Sequence, residues 1–190
     1  IARLMEIQQN KKFFEGKDRM TEEEHKDAFS WVNDHFTFLT HESSEPSTID
    51  SILDRLKVAV ARSGIRGAVI DPYNYIIMDK ETSETESISN MLTRIQSFAK
   101  SYGVHIWFVA HPAKMQRQGT GLPRPDGMSI SGSMAWWAKA DVGLTVYRKD
   151  QNTEIICWKC RYRWVGQTGI AELEYNLNTG TYKEVSDGFS

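Results

Sequence analysis

Cysteine is scarce in this sequence, with two among 190 residues, and both fall in the run Cys157-Trp158-Lys159-Cys160. A disulfide framework needs more than that. The run spells the C-x-x-C of a redox pair or half a zinc site, but the five histidines (His25, His35, His41, His105, His111) lack the H-x-x-x-H spacing that would complete four ligands. Thr153 to Tyr162 reads as a strand, on which residues three apart face opposite sides, so two reduced strand cysteines are expected. Long apolar runs are missing too. The stretch Ile106 to Ala110 falls far short of the roughly 20 residues of a membrane span, and no signal-peptide pattern opens the chain, which reads as soluble and intracellular. Proline (5) and glycine (13) are too few for a collagen-like or low-complexity chain. Neither sign of charge dominates: 23 Lys and Arg against 25 Asp and Glu give a net charge of -2, so any contact with a polyanion must be local.

What is present is core material: 40% hydrophobic residues, with 11% aromatics, in a length that suits one domain over 1–190. Residues 1–35 read as a charged helical segment, with the T-x-x-E capping box Thr21-Glu22-Glu23-Glu24 opening a second helix after the break at Gly16-Lys17-Asp18. His35 to Leu39 predicts a short strand. Pro46 and Thr48 introduce an amphipathic helix whose Ile49, Ile52, Leu53, Leu56 and Val60 share a face, ended by Ser63-Gly64. Gly67 to Asp71 predicts a strand buried on both faces, without alternation. Ser83 caps the next helix, whose core face is Ile88, Met91, Leu92, Ile95, Phe98 and Ala99, and a second buried strand follows from Val104 to Ala110. A long Gly-, Pro- and base-rich loop runs from His111 to about Ser129. Beyond it, Val142 to Val146, Thr153 to Tyr162 and Ala171 to Tyr175 read as strands before the turn Asn178-Thr179-Gly180. The pattern is α/β: a mostly parallel sheet flanked by helices, giving way to a β-rich C-terminal end.

Three places carry chemistry. The apolar run Gly67-Ala68-Val69-Ile70 ends in Asp71, and a carboxylate at the carboxyl end of a parallel strand can hold the magnesium that bridges nucleotide phosphates. A turn or capping Asp before Pro72 is the plainer alternative. The second strand ends at His111, where an imidazole can hydrogen-bond a γ-phosphate or an attacking water; a surface histidine capping the loop is its plain counterpart. Lys159 and Arg161 lie two apart on one strand, about 7 Å along the chain, and two cations on one face suit a phosphate. Pairing with Glu154, Glu172 or Glu174 on a solvated face would account for them equally.

The runs Ala68-Val69-Ile70-Asp71-Pro72-Tyr73-Asn74, Val109-Ala110-His111-Pro112-Ala113-Lys114 and Lys159-Cys160-Arg161-Tyr162 with Gly166-Gln167-Thr168-Gly169, taken together, resemble the hexameric replicative DNA helicases of the phage primase-helicase, Twinkle and DnaB kind. Order and spacing match from about Phe36 to Glu184. The resemblance implies a RecA-like motor core over 36–190. It makes Asp71 the Walker B carboxylate for Mg2+, His111 the phosphate sensor, and Lys159 and Arg161 the lysine and arginine finger reaching ATP, or another NTP or dNTP, on the adjacent subunit. Arg163 competes for the finger's place, because the segment from Arg161 to Gly169 is slightly longer than the family pattern. Lys114, Arg117 and Arg124 in the loop Pro112 to Ser129, with Gly132 and Ser133 at its exit, become contacts to single-stranded DNA. Six copies of such a loop in a homo-oligomeric ring would let a chain of net charge -2 bind DNA.

Two departures shape the expectation. The sequence holds no G-x-x-x-x-G-K-[ST] run, since Gly16-Lys17 lacks the glycine five residues earlier. The resemblance places that loop, and the strand bearing the family's glutamate, before Ile1, which implies a fragment that is itself nearly inactive. The segment Met134 to Ala140 also carries two tryptophans where relatives often have polar residues. The resemblance thus implies the motor part of a replicative helicase in the cytoplasm of a bacterial or phage-infected cell. A RecA-like recombinase or signalling ATPase, and a degenerate single-strand-binding oligomerisation module, are the alternatives.

Overall fold

The computed structural model describes residues 1–14, 16–40, 47–77, 83–113, 123–130, 133–149 and 152–185. In chain order its elements are α1 (Ala2–Gln9), α2 (Glu22–His35), α3 (Ile49–Ser63), β1 (Gly67–Ile70), α4 (Glu84–Tyr102), β2 (His105–Phe108), α5 (Ser133–Lys139), β3 (Val142–Lys149), β4 (Asn152–Cys160), β5 (Gly169–Tyr175) and β6 (Tyr182–Glu184). Short 3-10 turns occupy Tyr73–Tyr75 and Gly127–Ser129. One sheet pairs β1 with β2, and a second runs β3-β4-β5-β6. The chain divides into two compact units: Ile1–Phe38 with Val146–Ile156 and Gly169–Ser190, and Leu39–Thr145 with Cys157–Thr168.

The first unit is built on a helical hairpin. Thr21 caps α2 reciprocally with Glu24: Thr21 Oγ1 accepts from the Glu24 amide at 3.3 Å, and Glu24 Oε2 accepts from the Thr21 amide at 2.9 Å. A hydrogen bond from Lys11, then the Thr21 amide, holds the Glu24 carboxyl below its ordinary pKa. Buried Glu6 fixes the turn out of α1 by accepting from Arg3 Nη1 at 2.6 Å and from the Phe13 amide at 3.0 Å. Met5, Met20, Ala28 and Val32 form the small core. Strands β5 and β6 pair antiparallel, bringing Tyr175 opposite Tyr182.

The second unit carries the parallel pair. Thr48 Oγ1 caps α3 by accepting from the Ser51 amide at 3.2 Å, and Ser83 Oγ caps α4 by accepting from the Glu86 amide at 3.3 Å. Both helices end on a left-handed glycine, Gly64 at φ 60° and Gly103 at φ 64°, a conformation a side chain would strain. Helix α4 crosses over between β1 and β2, which pair in parallel from Gly67↔His105 to Ile70↔Phe108. Ile49 and Leu56 of α3, Ile88, Met91, Ile95 and Phe98 of α4, and Ala135 and Trp136 of α5 bury one face of that pair against Ala68 and Ile70.

Several expectations need correction. Strand β1 alternates in burial, with Val69 66% exposed and, beside it on β2, Trp107 50% exposed. The cause is one-sided packing: the apolar stripes of α3 and α4 join one cluster on the Ala68 and Ile70 face. Residues 36–40 form no strand: Phe36 leaves α2 extended and its ring stacks on Phe38 at 6.4 Å, but the segment pairs with no neighbouring strand among the described residues. Strand β4 stops at Cys160, short of Tyr162, where the chain turns with the Val165 amide bonded to the Tyr162 carbonyl at 3.0 Å. The strand β6 carries no alternation long enough to read from sequence.

Candidate nucleotide and nucleic-acid site

The carboxyl edge of the parallel pair gathers the first two candidates. The Val109 amide donates to the Ile70 carbonyl at 2.9 Å, and the Tyr73 amide to the Val109 carbonyl at 3.0 Å, so the two strand exits stay zipped beyond the ladder. This register puts Asp71, between the two bonded residues Ile70 and Tyr73, and His111, two residues past Val109, at the same edge, each exposed. The Asp71 carboxylate has no hydrogen bond or ion pair among the described residues, and the following 3-10 turn has Pro72 at its cap with no side-chain bond. A capping role for Asp71 is therefore not realised. An unpaired, solvent-facing carboxylate suits magnesium, which binds through one or two carboxylates while keeping waters and substrate phosphates.

Beneath that edge lies an aromatic support. Tyr73, two residues past Asp71, meets Trp136 at 5.1 Å edge to face, and Phe108, three residues before His111, meets Trp136 at 5.3 Å. Trp136 is 6% exposed and Tyr73 7%. Burial, with the charge of Glu84 second, pushes the Tyr73 phenol above its ordinary pKa. The tryptophans that set Met134 to Ala140 apart thus have a local cause: Trp136 fills the core under the strand tips, and Trp137 stacks on Trp158 at 5.1 Å.

The loop proposed for DNA is fastened at its base. The Ala113 amide donates to the Ser129 carbonyl at 2.7 Å, and Asp126 Oδ1 accepts from the Met128 amide at 2.9 Å and the Ser129 hydroxyl at 3.1 Å. Arg124 is exposed beside this base. Lys114, Arg117 and Gly132 lie outside the described residues; Ser133 begins α5.

Lys159 and Arg161 converge, as two residues on one strand face should, though Arg161 lies just past the end of β4. Both reach the C-terminal turn of α5. Lys159 Nζ donates to the carbonyls of Trp137 and, at 3.3 Å, Ala138; Arg161 Nη2 donates to those of Ala138 at 2.7 Å and Ala140 at 3.5 Å. Cations belong at a helix C-terminus, where carbonyls lack intrahelical partners and the dipole is negative. Desolvation, then the Arg161 charge, lowers the Lys159 pKa, while Asp141 opposes the shift. Arg161 Nε stands 3.1 Å from Asp141 Oδ1 as an ion pair, and the Arg161 amide donates to the Asp141 carbonyl at 2.8 Å. Arg163 is exposed in the turn after β4.

Asp141 and Trp158 are the residues sequence reasoning missed. Trp158 packs over two glycines: a Cβ at Gly143 would stand 2.3 Å from its ring, and one at Gly127 2.5 Å. Asp141 sits twenty residues from the cation it contacts, a separation no local motif marks. Among the described residues, no helix is long and apolar enough to cross a membrane.

No protein-family profile matches the chain. It is 38% identical over 196 aligned residues, covering 96% of this chain, to a protein of Arabidopsis thaliana named Twinkle homolog protein, chloroplastic/mitochondrial. It is 27% identical over 165 residues, 79% of this chain, to the DNA helicase/primase of Enterobacteria phage T3. The chain spans 27% and 28% of those two relatives. Among solved structures, a helicase ATPase domain superposes with a TM-score of 0.73 at 16% identity, covering 97% of this chain and 69% of that one. The mixed parallel and antiparallel sheets thus have the fold of a RecA-like helicase ATPase domain.

Proposed function

From a chain that belongs with the DnaB- and Twinkle-like helicase domains, we infer part of a replicative DNA helicase that couples hydrolysis of ATP or another nucleoside triphosphate to movement along single-stranded DNA. The observation that carries this reading is the meeting of Asp71 and His111 at one carboxyl edge of a parallel pair, where α/β sheets bind nucleotides. Asp71 would hold Mg2+, which would supply positive charge to offset that developing on the transferring phosphate. His111 hydrogen-bonds the γ-phosphate or the attacking water and so distinguishes triphosphate from diphosphate.

Lys159 and Arg161 act on the nucleotide of the neighbouring subunit in a homo-oligomeric ring of six. Planar, permanently charged Arg161 stabilises the equatorial oxygens of the transferring phosphoryl group. Lys114, Arg117 and Arg124, with the amides of Gly132 and Ser133, meet the DNA backbone, and the fastened base between Ala113 and Ser129 supports the loop as the projecting element. The 190 residues lack a phosphate-cradling G-x-x-x-x-G-K-[ST] loop, so the isolated chain should hydrolyse little nucleotide.

The test uses the full-length protein. Wild type should show DNA-stimulated hydrolysis and unwind a forked duplex, and Asp71→Ala should abolish both while the fold, followed by circular dichroism, persists. Stimulated hydrolysis without unwinding would favour a recombinase or signalling ATPase. Full hydrolysis by Asp71→Ala would remove Asp71 from the site.

A further inference from the structure

The ion pair between Arg161 and Asp141 has no part in the reading above, yet its geometry bears on how a finger works. The guanidinium is engaged along one edge: Nε stands 3.1 Å from the buried Asp141 Oδ1 as an ion pair without hydrogen-bond alignment, and Nη2 donates to the carbonyls of Ala138 at 2.7 Å and Ala140 at 3.5 Å. Nη1 has no partner among the described residues. The same Asp141 accepts the Arg161 amide through its carbonyl at 2.8 Å, so backbone and side chain are fixed against one residue. An arginine has four rotatable bonds, and a finger left free would lose most of that freedom on meeting phosphate. One held at Nε and Nη2 loses far less and presents Nη1 as the free end of the fork.

We propose that Asp141 is the positioning residue of the arginine finger, holding the inner edge of the Arg161 guanidinium so that its outer end meets the phosphate on the neighbouring subunit. This rests on Arg161 being the finger. Asp141 touches no nucleotide itself. Its carboxylate also serves register: it stands where α5 ends and β3 begins, so the finger is referred to the same short helix whose core residue, Trp136, lies under the Asp71 and His111 edge. The Arg161 side chain remains 36% exposed and Asp141 42%, which leaves the pair open to a phosphate from outside the chain.

Three variants of the full-length protein test this: Asp141→Asn, Arg161→Ala and the double substitution, each checked for oligomer size and thermal unfolding. Asp141→Asn should lower kcat for nucleotide hydrolysis by about 10- to 100-fold with KM little changed, as expected for misplacing a transition-state group. The double variant should be no worse than Arg161→Ala alone, because Asp141 acts only through that arginine. Asp141→Glu should recover part of the loss. Mixed with Asp71→Ala subunits, Asp141→Asn subunits should regain turnover, since they bring an intact Asp71 and borrow an intact Arg161. Arg161→Ala inactive beside Asp141→Asn at the wild-type rate would overturn the positioning role alone, as would additive losses in the double variant or no recovery in any mixture with Asp71→Ala. Arg161→Ala at the wild-type rate would overturn the finger assignment and the positioning role with it.

Discussion

Single side chains decide this site through what surrounds them. Lys159 is placed where desolvation works against its charge, with two helix carbonyls in compensation, and the folded protein holds its pKa below the 10.5 of a free lysine. Its proton is bound more weakly in the folded than in the unfolded chain, so charging it costs stability at neutral pH. That cost fades as pH rises through the folded value toward 10.5. Denaturant titrations of wild type and Lys159→Met should therefore show wild type gaining on the variant as pH is raised; a constant difference would remove the shift. At the other strand tip, His111→Ala should keep nucleotide binding while lowering kcat by about 100-fold, measured as single-turnover hydrolysis in the full-length protein. The placement of Asp71 and His111 at one sheet edge, and of Lys159 and Arg161 on one face, was legible in the sequence because each residue follows a strand or repeats along one. Asp141 was not, since its role depends on β3 and β4 bringing residues twenty apart into contact, which no spacing rule encodes.

At the scale of elements, α5 is the part on which most depends. Its seven residues run from the exit of the 112–129 loop to the carbonyls that hold Lys159 and Arg161, and its middle carries Trp136 into the core under the edge that bears Asp71 and His111. Trp136→Ala should cost about 3–5 kcal/mol in urea unfolding, the range for emptying a large aromatic site. Gly143→Ala drives a methyl into the Trp158 ring, and overpacking of this kind should cost about 1–3 kcal/mol while displacing the residue beside Lys159. Helices were the most legible elements. Thr21, Thr48 and Ser83 cap as their sequences imply, because a cap needs only three or four consecutive residues. Strands were less so: residues 36–40 find no strand partner among the described residues, and the one-sided burial of β1 depends on where α3 and α4 pack.

At the scale of the molecule, net charge and local charge part company. A chain of net charge -2 has no overall attraction to DNA, so any affinity proposed for it would have to come from local contacts. Lys114→Ala in the full-length protein should weaken single-stranded DNA binding to a similar extent across sequences and flatten its dependence on salt, as read by fluorescence anisotropy at several ionic strengths. A sequence-selective loss would point instead to base recognition. The central claim is that one nucleotide is handled by Asp71 of one subunit and Arg161 of the next. Its most direct measurement is hydrolysis by mixtures of Asp71→Ala and Arg161→Ala subunits, each inactive alone, across the whole range of mixing ratios. Sharing of the site predicts turnover that rises from nothing to a maximum at intermediate ratios, where composite sites with both residues intact are commonest. Mixtures that assemble normally yet stay inactive at every ratio would contradict it.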